Sequence, residues 1–322
     1  MIFSPTQEHI ARAAALLRAG ELVALPTETV YGLGADASNA QAVAKIFAAK
    51  GRPADHPLIV HLADAESMIH WARDIPMEAI ALARAFWPGP LTLILKKEAD
   101  VLDDVTGGQD TVGLRVPDHP VALALLRAFS GDGGGIAAPS ANRFGRISPT
   151  TAQHVAEDLG NAVGMILDGG ACQVGIESTI LDLSRGEPVI LRPGMIGADA
   201  IAAVIGRQPK LPQAVTDAPR VSGALAAHYA PRTPMRMSSD IGKVSADSAV
   251  LAFSLNKPSS HTGTWIKASN EAASYAHDLY ANLRALDACG AASIVVEEIS
   301  TASAWDAVHD RLGRAVTGSG VE

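Results

Sequence analysis

Basic side chains recur where short apolar runs give way to loops: Lys50 and Arg52 follow a helical stretch, Arg115 and Arg192 end strand-like runs, and Arg143 and Arg146 follow Pro139-Ser140-Ala141-Asn142. Small hydroxyl and amide groups accompany them at Thr27, Thr29, Thr111, Ser140, Asn142, Ser148, Ser178 and Thr179. Cations ringed by such donors suit phosphate oxygens or a carboxylate. The ten His are scattered, Cys172 and Cys289 lie far apart, and no HExxH or CxxC spacing occurs, so no metal-ligand set is read from the sequence. The chemistry this inventory supports is the binding of a small anionic ligand. Taken singly, each Arg could pair with a surface carboxylate and Ser148 reads as a helix cap; the shared loop setting makes them a set.

The surrounding chain is acidic, with 26 Lys+Arg against 34 Asp+Glu and a net charge of −8. A positive site focused inside an acidic chain suits a small polyanion, because a nucleic-acid backbone needs a continuous basic stripe. Aromatics at 4% leave little material for a base-stacking surface, so strong direct nucleic-acid binding is not expected. An apolar fraction of 48% over 322 residues folds, and exceeds one comfortable core. Two remote Cys, no signal-like leader and no run of eighteen apolar residues give the expectation of a cytoplasmic chain without membrane attachment.

The elements that must hold these residues alternate between strand-like and helical patterns over residues 1–207. Ser4-Pro5 reads as the cap and first position of a helix stopped by Gly20, residues 22–25 as a buried strand, and 26–34 as the loop leaving it. Asn39 opens a helix ending near Lys50-Gly51, and Ser148-Pro149 opens another through Leu159. Further strands are expected at 57–62, 91–96, 111–116, 136–138, 165–167, 178–183 and 189–191, and a helix at 199–205. Several strands follow one another without a helix, which predicts a mixed sheet. Gly131-Asp132-Gly133-Gly134-Gly135 reads as a turn into the strand at Ile136, lacking the Lys-Ser/Thr of a phosphate-binding loop. Residues 208–235 are proline-rich and read as a linker or extended arm. Residues 236–322 carry a second, smaller α/β pattern with strands at 250–254 and 293–299 and helices at 271–288 and 304–316.

At these residues the sequence resembles the YrdC family in its long form, which carries an added C-terminal domain. The matching motifs begin with Ala24-Leu25-Pro26-Thr27-Glu28-Thr29-Val30-Tyr31-Gly32-Leu33-Gly34, Lys50-Gly51-Arg52-Pro53 through Pro57-Leu58-Ile59-Val60-His61, and Trp87-Pro88-Gly89-Pro90-Leu91-Thr92. They continue with Val112-Gly113-Leu114-Arg115-Val116-Pro117, Ala138-Pro139-Ser140-Ala141-Asn142, Glu177-Ser178-Thr179-Ile180 and Leu191-Arg192-Pro193-Gly194. His228-Tyr229-Ala230-Pro231 resembles the family's linker, and the C-terminal domain matches weakly through Trp305 to Ala315.

The resemblance implies an α/β fold: a twisted mixed-sheet YrdC-like domain with a large concave cavity, plus a smaller Rossmann-like α/β C-terminal domain. It implies condensation of L-threonine, bicarbonate or CO2 and ATP into threonylcarbamoyl-AMP and pyrophosphate, for threonylcarbamoyladenosine in tRNA, with a downstream transferase as partner. By the same likeness Lys50, Arg52, Ser140 and Asn142 form the positioning signature. Thr29, His61, Arg115, Ala138 and Ser178 would hold threonine, with Arg115 gripping its carboxylate in a two-pronged way. Arg52, His56, Thr111, Ser140, Ser148, Arg192 and Tyr229 would hold ATP, with Mg²⁺ bridging its phosphates; His56 stands where the family often has Asn. Because a threonylcarbamate is labile in water, the site is expected to close, with residues 208–235 as a lid and the C-terminal domain positioning it. Two other readings are a double-stranded RNA or tRNA-binding module, and a carbamoyl-transferring maturation factor.

Overall fold

The structure, a computed structural model, describes residues 1–131, 133–211 and 218–320, so Asp132 of the glycine-rich turn and residues 212–217 of the proline-rich arm lie outside it. The chain divides into two compact units. The first comprises Met1–Arg143, Pro149–Gln173 and Glu177–Ala224, and the second Phe144–Ser148, Val174–Ile176 and Leu225–Glu322. The proline-rich arm is thus shared between them, changing units after Ala224. Among the described residues no helix is long and apolar enough to cross a membrane.

The strands of the first unit are β1 (Ile2–Phe3), β2 (Val23–Leu25), β3 (Gly32–Asp36), β4 (Ile59–His61), β5 (Leu91–Lys96), β6 (Thr111–Arg115), β7 (Ile136–Ala137), β8 (Met165–Leu167), β9 (Thr179–Asp182) and β10 (Val189–Arg192). They form one sheet in the order β1-β8-β2-β3-β7-β4-β6-β5-β9-β10. The sheet is mixed: β4 runs parallel to β6, whereas β2–β3, β3–β7 and β5–β6 are antiparallel. Helices α1 (Gln7–Arg18), α2 (Ala40–Lys50), α3 (Met77–Phe86), α4 (Asp103–Thr106), α5 (Pro120–Ser130), α6 (Ala152–Leu159) and α7 (Ala198–Ile205) complete the unit.

Strand alternation sorts the apolar side chains onto the two sheet faces. Ala24, Leu33 and Ile166 join Val43, Ile46, Leu82 and Leu114 in one cluster. Val23, Leu25, Met165 and Leu167 join Leu17, Leu125 and Leu126 in the other. Fully burying each Leu or Ile contributes about 1.5–3 kcal/mol, so a core of aliphatic residues suffices despite the scarcity of aromatics.

Three local expectations are corrected. Helix α1 is capped by Thr6, whose hydroxyl accepts from the His9 amide at 3.2 Å, and not by Ser4. Helix α6 begins at Ala152 with Thr151 as its cap, so Ser148-Pro149 precedes the helix rather than opening it. Residues 32–34, expected in the loop, belong to β3, where Gly34 fits between Ile136 and Leu25 with no room for a Cβ.

The second unit holds β11 (Met235–Ser238), β12 (Ala249–Ala252), β13 (Trp265–Lys267) and β14 (Ile294–Glu297), with helices α8 (Ala272–Ala288) and α9 (Asp306–Gly318). The strand order is β11-β14-β12-β13, and every pairing is parallel. Glu297 ends β14 and accepts from the backbone amides of Phe253 and Ser254 at 2.7 and 2.9 Å and from the Ser254 hydroxyl. This carboxylate therefore occupies the amides just beyond β12, where a parallel sheet commonly receives an anionic ligand. Arg311 of α9 is fully buried, pairs with Asp310 at 2.5 Å and lies over the Tyr229 ring at 5.2 Å.

Candidate functional site

The loop between β2 and β3 is built around a hydroxyl. Thr27 Oγ1 donates to the Val30 carbonyl at 2.6 Å and accepts from the backbone amides of Thr29 and Val30, both at 3.2 Å. The Thr29 hydroxyl lies 2.8 Å from it and accepts from Arg115 Nη1 at 2.9 Å. Arg115 ends β6, where its Nε donates to the Gly89 carbonyl at 3.2 Å, so the Trp87-Pro88-Gly89 turn serves to hold this guanidinium. Its remaining nitrogen, Nη2, faces Glu28 Oε1 at 2.6 Å. With the single Nε hydrogen already engaged, any grip on a ligand carboxylate must use the remaining hydrogens of the terminal nitrogens Nη1 and Nη2.

His61 ends β4 in parallel register with Arg115. It is buried, and burial together with the Arg115 charge lowers its pKa to about 3, so it is a neutral imidazole at physiological pH. Ala138 follows β7 and donates its amide to the Ile59 carbonyl at 3.0 Å, which ties it to the neighbouring strand β4. Thr29, His61, Arg115 and Ala138 therefore share one locality, with Glu28 among them.

Lys50 is the last residue of α2, and Gly51 takes the left-handed conformation, φ 63°, that turns the chain out of the helix. The buried Lys50 ammonium donates to the carbonyls of Ser140 at 2.5 Å and Asn142 at 2.6 Å. Tyr31 and Leu33 hold that segment in place through hydrogen bonds with Ala141 and Pro139. Burial, then the nearby Arg52 charge, pushes the Lys50 pKa well below its usual value.

Arg52 donates to the Pro57 carbonyl at 2.8 Å and reaches the Ser222 hydroxyl at 3.4 Å. Arg192 follows an irregularity in the β9–β10 register, and its Nη1 donates to the Ser222 carbonyl at 2.9 Å. It also donates to the Ser178 carbonyl and, from Nη2, to the Ser178 hydroxyl at 3.1 Å, while that hydroxyl lies 2.8 Å from Thr92 Oγ1. Ser178, assigned to threonine by resemblance, and Arg192, assigned to ATP, thus touch one another. Thr111 lines a small cavity with Pro57, Ile59, Arg220 and Ser222. His56 is partly buried beside Asp55, its pKa lowered by burial and then by Arg52. Sequence reasoning assigned no role to Ser222 or to Glu28; Ser222 sits in the proline-rich arm, whose composition marks no side chain.

Ser148 and Tyr229 belong to the second unit. Ser148 is fully buried, with its carbonyl accepting from Arg284 Nε at 3.4 Å. Tyr229 holds φ 59°, unusual for a side chain of its size, between the His228 ring at 4.2 Å and the Tyr280 ring at 5.7 Å. Among the described residues no group of three or more His, Cys, Asp or Glu could hold a metal ion.

These features define an α/β protein whose first unit gathers cations, hydroxyls and the buried Glu28 carboxylate around loop backbone. A family model described as Telomere recombination matches residues 15–194, and one described as Threonylcarbamoyl-AMP synthase, C-terminal domain, matches residues 196–317. The chain belongs to the Sua5–YciO–YrdC family. It is 50% identical over 235 residues to a threonylcarbamoyl-AMP synthase of Bacillus subtilis, covering 72% of this chain and 67% of that protein. A Schizosaccharomyces pombe protein of the same name is 35% identical, with 98% and 90% covered. The crystal structure of Pyrococcus abyssi Sua5 complexed with L-threonine superposes with a TM-score of 0.89 at 37% identity, covering 99% of this chain and 98% of that one.

Proposed function

We infer that this chain is an L-threonylcarbamoyladenylate synthase, a nucleotidyltransferase that makes threonylcarbamoyl-AMP and pyrophosphate from L-threonine, bicarbonate or CO2 and ATP, for threonylcarbamoyladenosine in tRNA. The observation that carries the reading is the locality of Thr29, His61 and Arg115, with a guanidinium only partly used by the protein, in a chain of this family. The threonine amine is captured as its carbamate, whose oxygen attacks the α-phosphorus of ATP as pyrophosphate leaves. That step needs alignment and charge neutralisation rather than a covalent enzyme intermediate.

On this reading Arg115 takes the threonine carboxylate through its terminal nitrogens, and Thr29, Ala138 and Ser178 complete that pocket. His61, held neutral, can accept from the threonine hydroxyl, which separates threonine from valine; the extra methyl separates it from serine by only about 1–3 kcal/mol. Lys50 spends two of its three donors on the Ser140 and Asn142 carbonyls and offers the third to the ATP phosphates. Arg52, Arg192 and Ser140 neutralise and orient the same phosphates, with Thr111 and His56 flanking. Mg²⁺ enters with ATP as part of the substrate, consistent with its preference for phosphate oxygens and water over a dedicated protein cage. A transferase acting on tRNA receives the product, and a cytoplasmic location fits that role.

The test is pyrophosphate release from ATP and Mg²⁺ with L-threonine and bicarbonate, each omitted in turn. Release that requires both supports the synthase; release indifferent to threonine rejects it.

A further inference from the structure

Glu28 is 3% exposed, yet neither of its carboxylate oxygens makes a hydrogen bond. Among the described residues its ion pair is with Arg115, at 2.6 Å, in an alignment that leaves Arg115 Nη2 outside hydrogen-bond geometry as well. His61 Nδ1, on the adjoining strand, is likewise buried and without a partner. Buried ionic groups are normally closed by hydrogen bonds, since an unmet carboxylate in the interior is costly. Thr27 and Thr29, on either side of Glu28, spend their hydroxyls on each other, on the Val30 carbonyl and on Arg115, and none reaches the carboxylate.

An acceptor lacking donors therefore lies directly beside a donor lacking an acceptor. A phosphate or a simple carboxylic acid satisfies the guanidinium and is repelled by Glu28. A cation alone does the reverse. A zwitterionic α-amino acid answers both, because its ammonium and carboxylate are both borne on the α-carbon.

We propose that Glu28 receives the α-ammonium group of the amino-acid substrate while Arg115 receives its carboxylate, making Glu28 the residue that selects an amine-bearing ligand. The proposal rests on the synthase reading for the identity of that amino acid. A site built around an unmet carboxylate discriminates strongly against an analogue lacking the donor.

The experiment compares L-threonine with 3-hydroxybutanoate, the same skeleton without the amine, by calorimetric titration of the full chain. Wild-type protein is expected to bind threonine at least ~100-fold more tightly. In Glu28→Gln that preference should fall to about tenfold or less, with 3-hydroxybutanoate affinity held or improved as the negative charge is removed. Glu28→Asp, which keeps a charge beside Arg115, should fold where Gln does not and lose part of the preference. Equal binding of the two ligands by the wild type overturns the proposal without any variant. So does a Glu28 variant, its fold verified by circular dichroism, that loses both ligands in parallel, since Glu28 then acts only through Arg115. Failure of the wild type to bind threonine at all rejects the synthase reading itself, a different outcome from threonine binding that is indifferent to Glu28.

Discussion

The two units treat buried charge in opposite ways. In the second, Glu297 is closed by two backbone amides and a hydroxyl, Asp310 pairs with Arg311 and Arg314, and Asp287 accepts from the amides of Arg232 and Thr233. Its buried groups without a hydrogen-bond partner, among those described, include the neutral Trp265 Nε1 and Tyr275 Oη. In the first unit, the Glu28 carboxylate and Arg115 Nη2 are buried without a hydrogen-bond partner. Fully satisfied networks specify a fold, whereas buried charges with unmet capacity await a ligand. The comparison assigns chemistry to the first unit and shows the anion-receptive end of the second unit's parallel sheet filled by its own carboxylate.

The strongest test of that contrast is Arg115→Ala. It removes the carboxylate partner and strands Glu28, so pyrophosphate release should fall at least ~10³-fold, and thermal unfolding should show a loss of about 3–5 kcal/mol. Activity near wild type would mean that the open pair is not the substrate locality. Lys50→Met, which keeps length and apolar bulk, should cost about 10²–10³ in kcat through a lost phosphate donor. Retained kcat with a lowered melting temperature would reduce Lys50 to a tether for the Ser140–Asn142 backbone.

In the second unit Glu297→Ala should cost about 2–3 kcal/mol of stability, seen as a lower denaturant midpoint, by freeing the Phe253 and Ser254 amides. Threonine affinity should be unchanged; its loss would break the division of labour. The effect smallest per unit of change is a pH dependence. Folded His61 stays neutral down to about pH 3, while the unfolded imidazole takes a proton near 6.5. The unfolded state therefore binds more protons between these values, and stability falls as pH drops from 6.5 toward 3, by up to about 1.4 kcal/mol per unit. His61→Gln should flatten that part of the stability–pH curve relative to wild type.

Much of the scaffold was legible from residue pattern. Strands β5 and β8 match the expected 91–96 and 165–167 at both ends, because short apolar runs bounded by polar or turn residues admit few alternatives. Asn39 and Gly51 bracket α2 as their capping chemistry requires. The misreadings came where one dipeptide serves two structures: Ser-Pro suits a turn as well as a cap, and at both sites a threonine downstream took the capping role. Strand β3 was hidden because Gly32 and Gly34 carry no apolar signal, although their lack of a side chain is what lets neighbouring strands approach.

At the site, residue types and loop positions made Lys50, Arg52, Arg115 and Arg192 candidates as phosphate or carboxylate binders, and the resemblance supplied the reaction. Partner choice was decided only in three dimensions. That Lys50 grips the backbone of residues 140 and 142, that Arg192 meets Ser178, and that Glu28 faces Arg115 with its oxygens unmet all depend on chain segments up to 92 positions apart. Composition and motif determine which charges a chain owns and where its strands break. Whether a given charge is closed by a neighbour or left open for a ligand is set by angstrom-scale geometry between distant loops, and that geometry exists only once the sheet has formed.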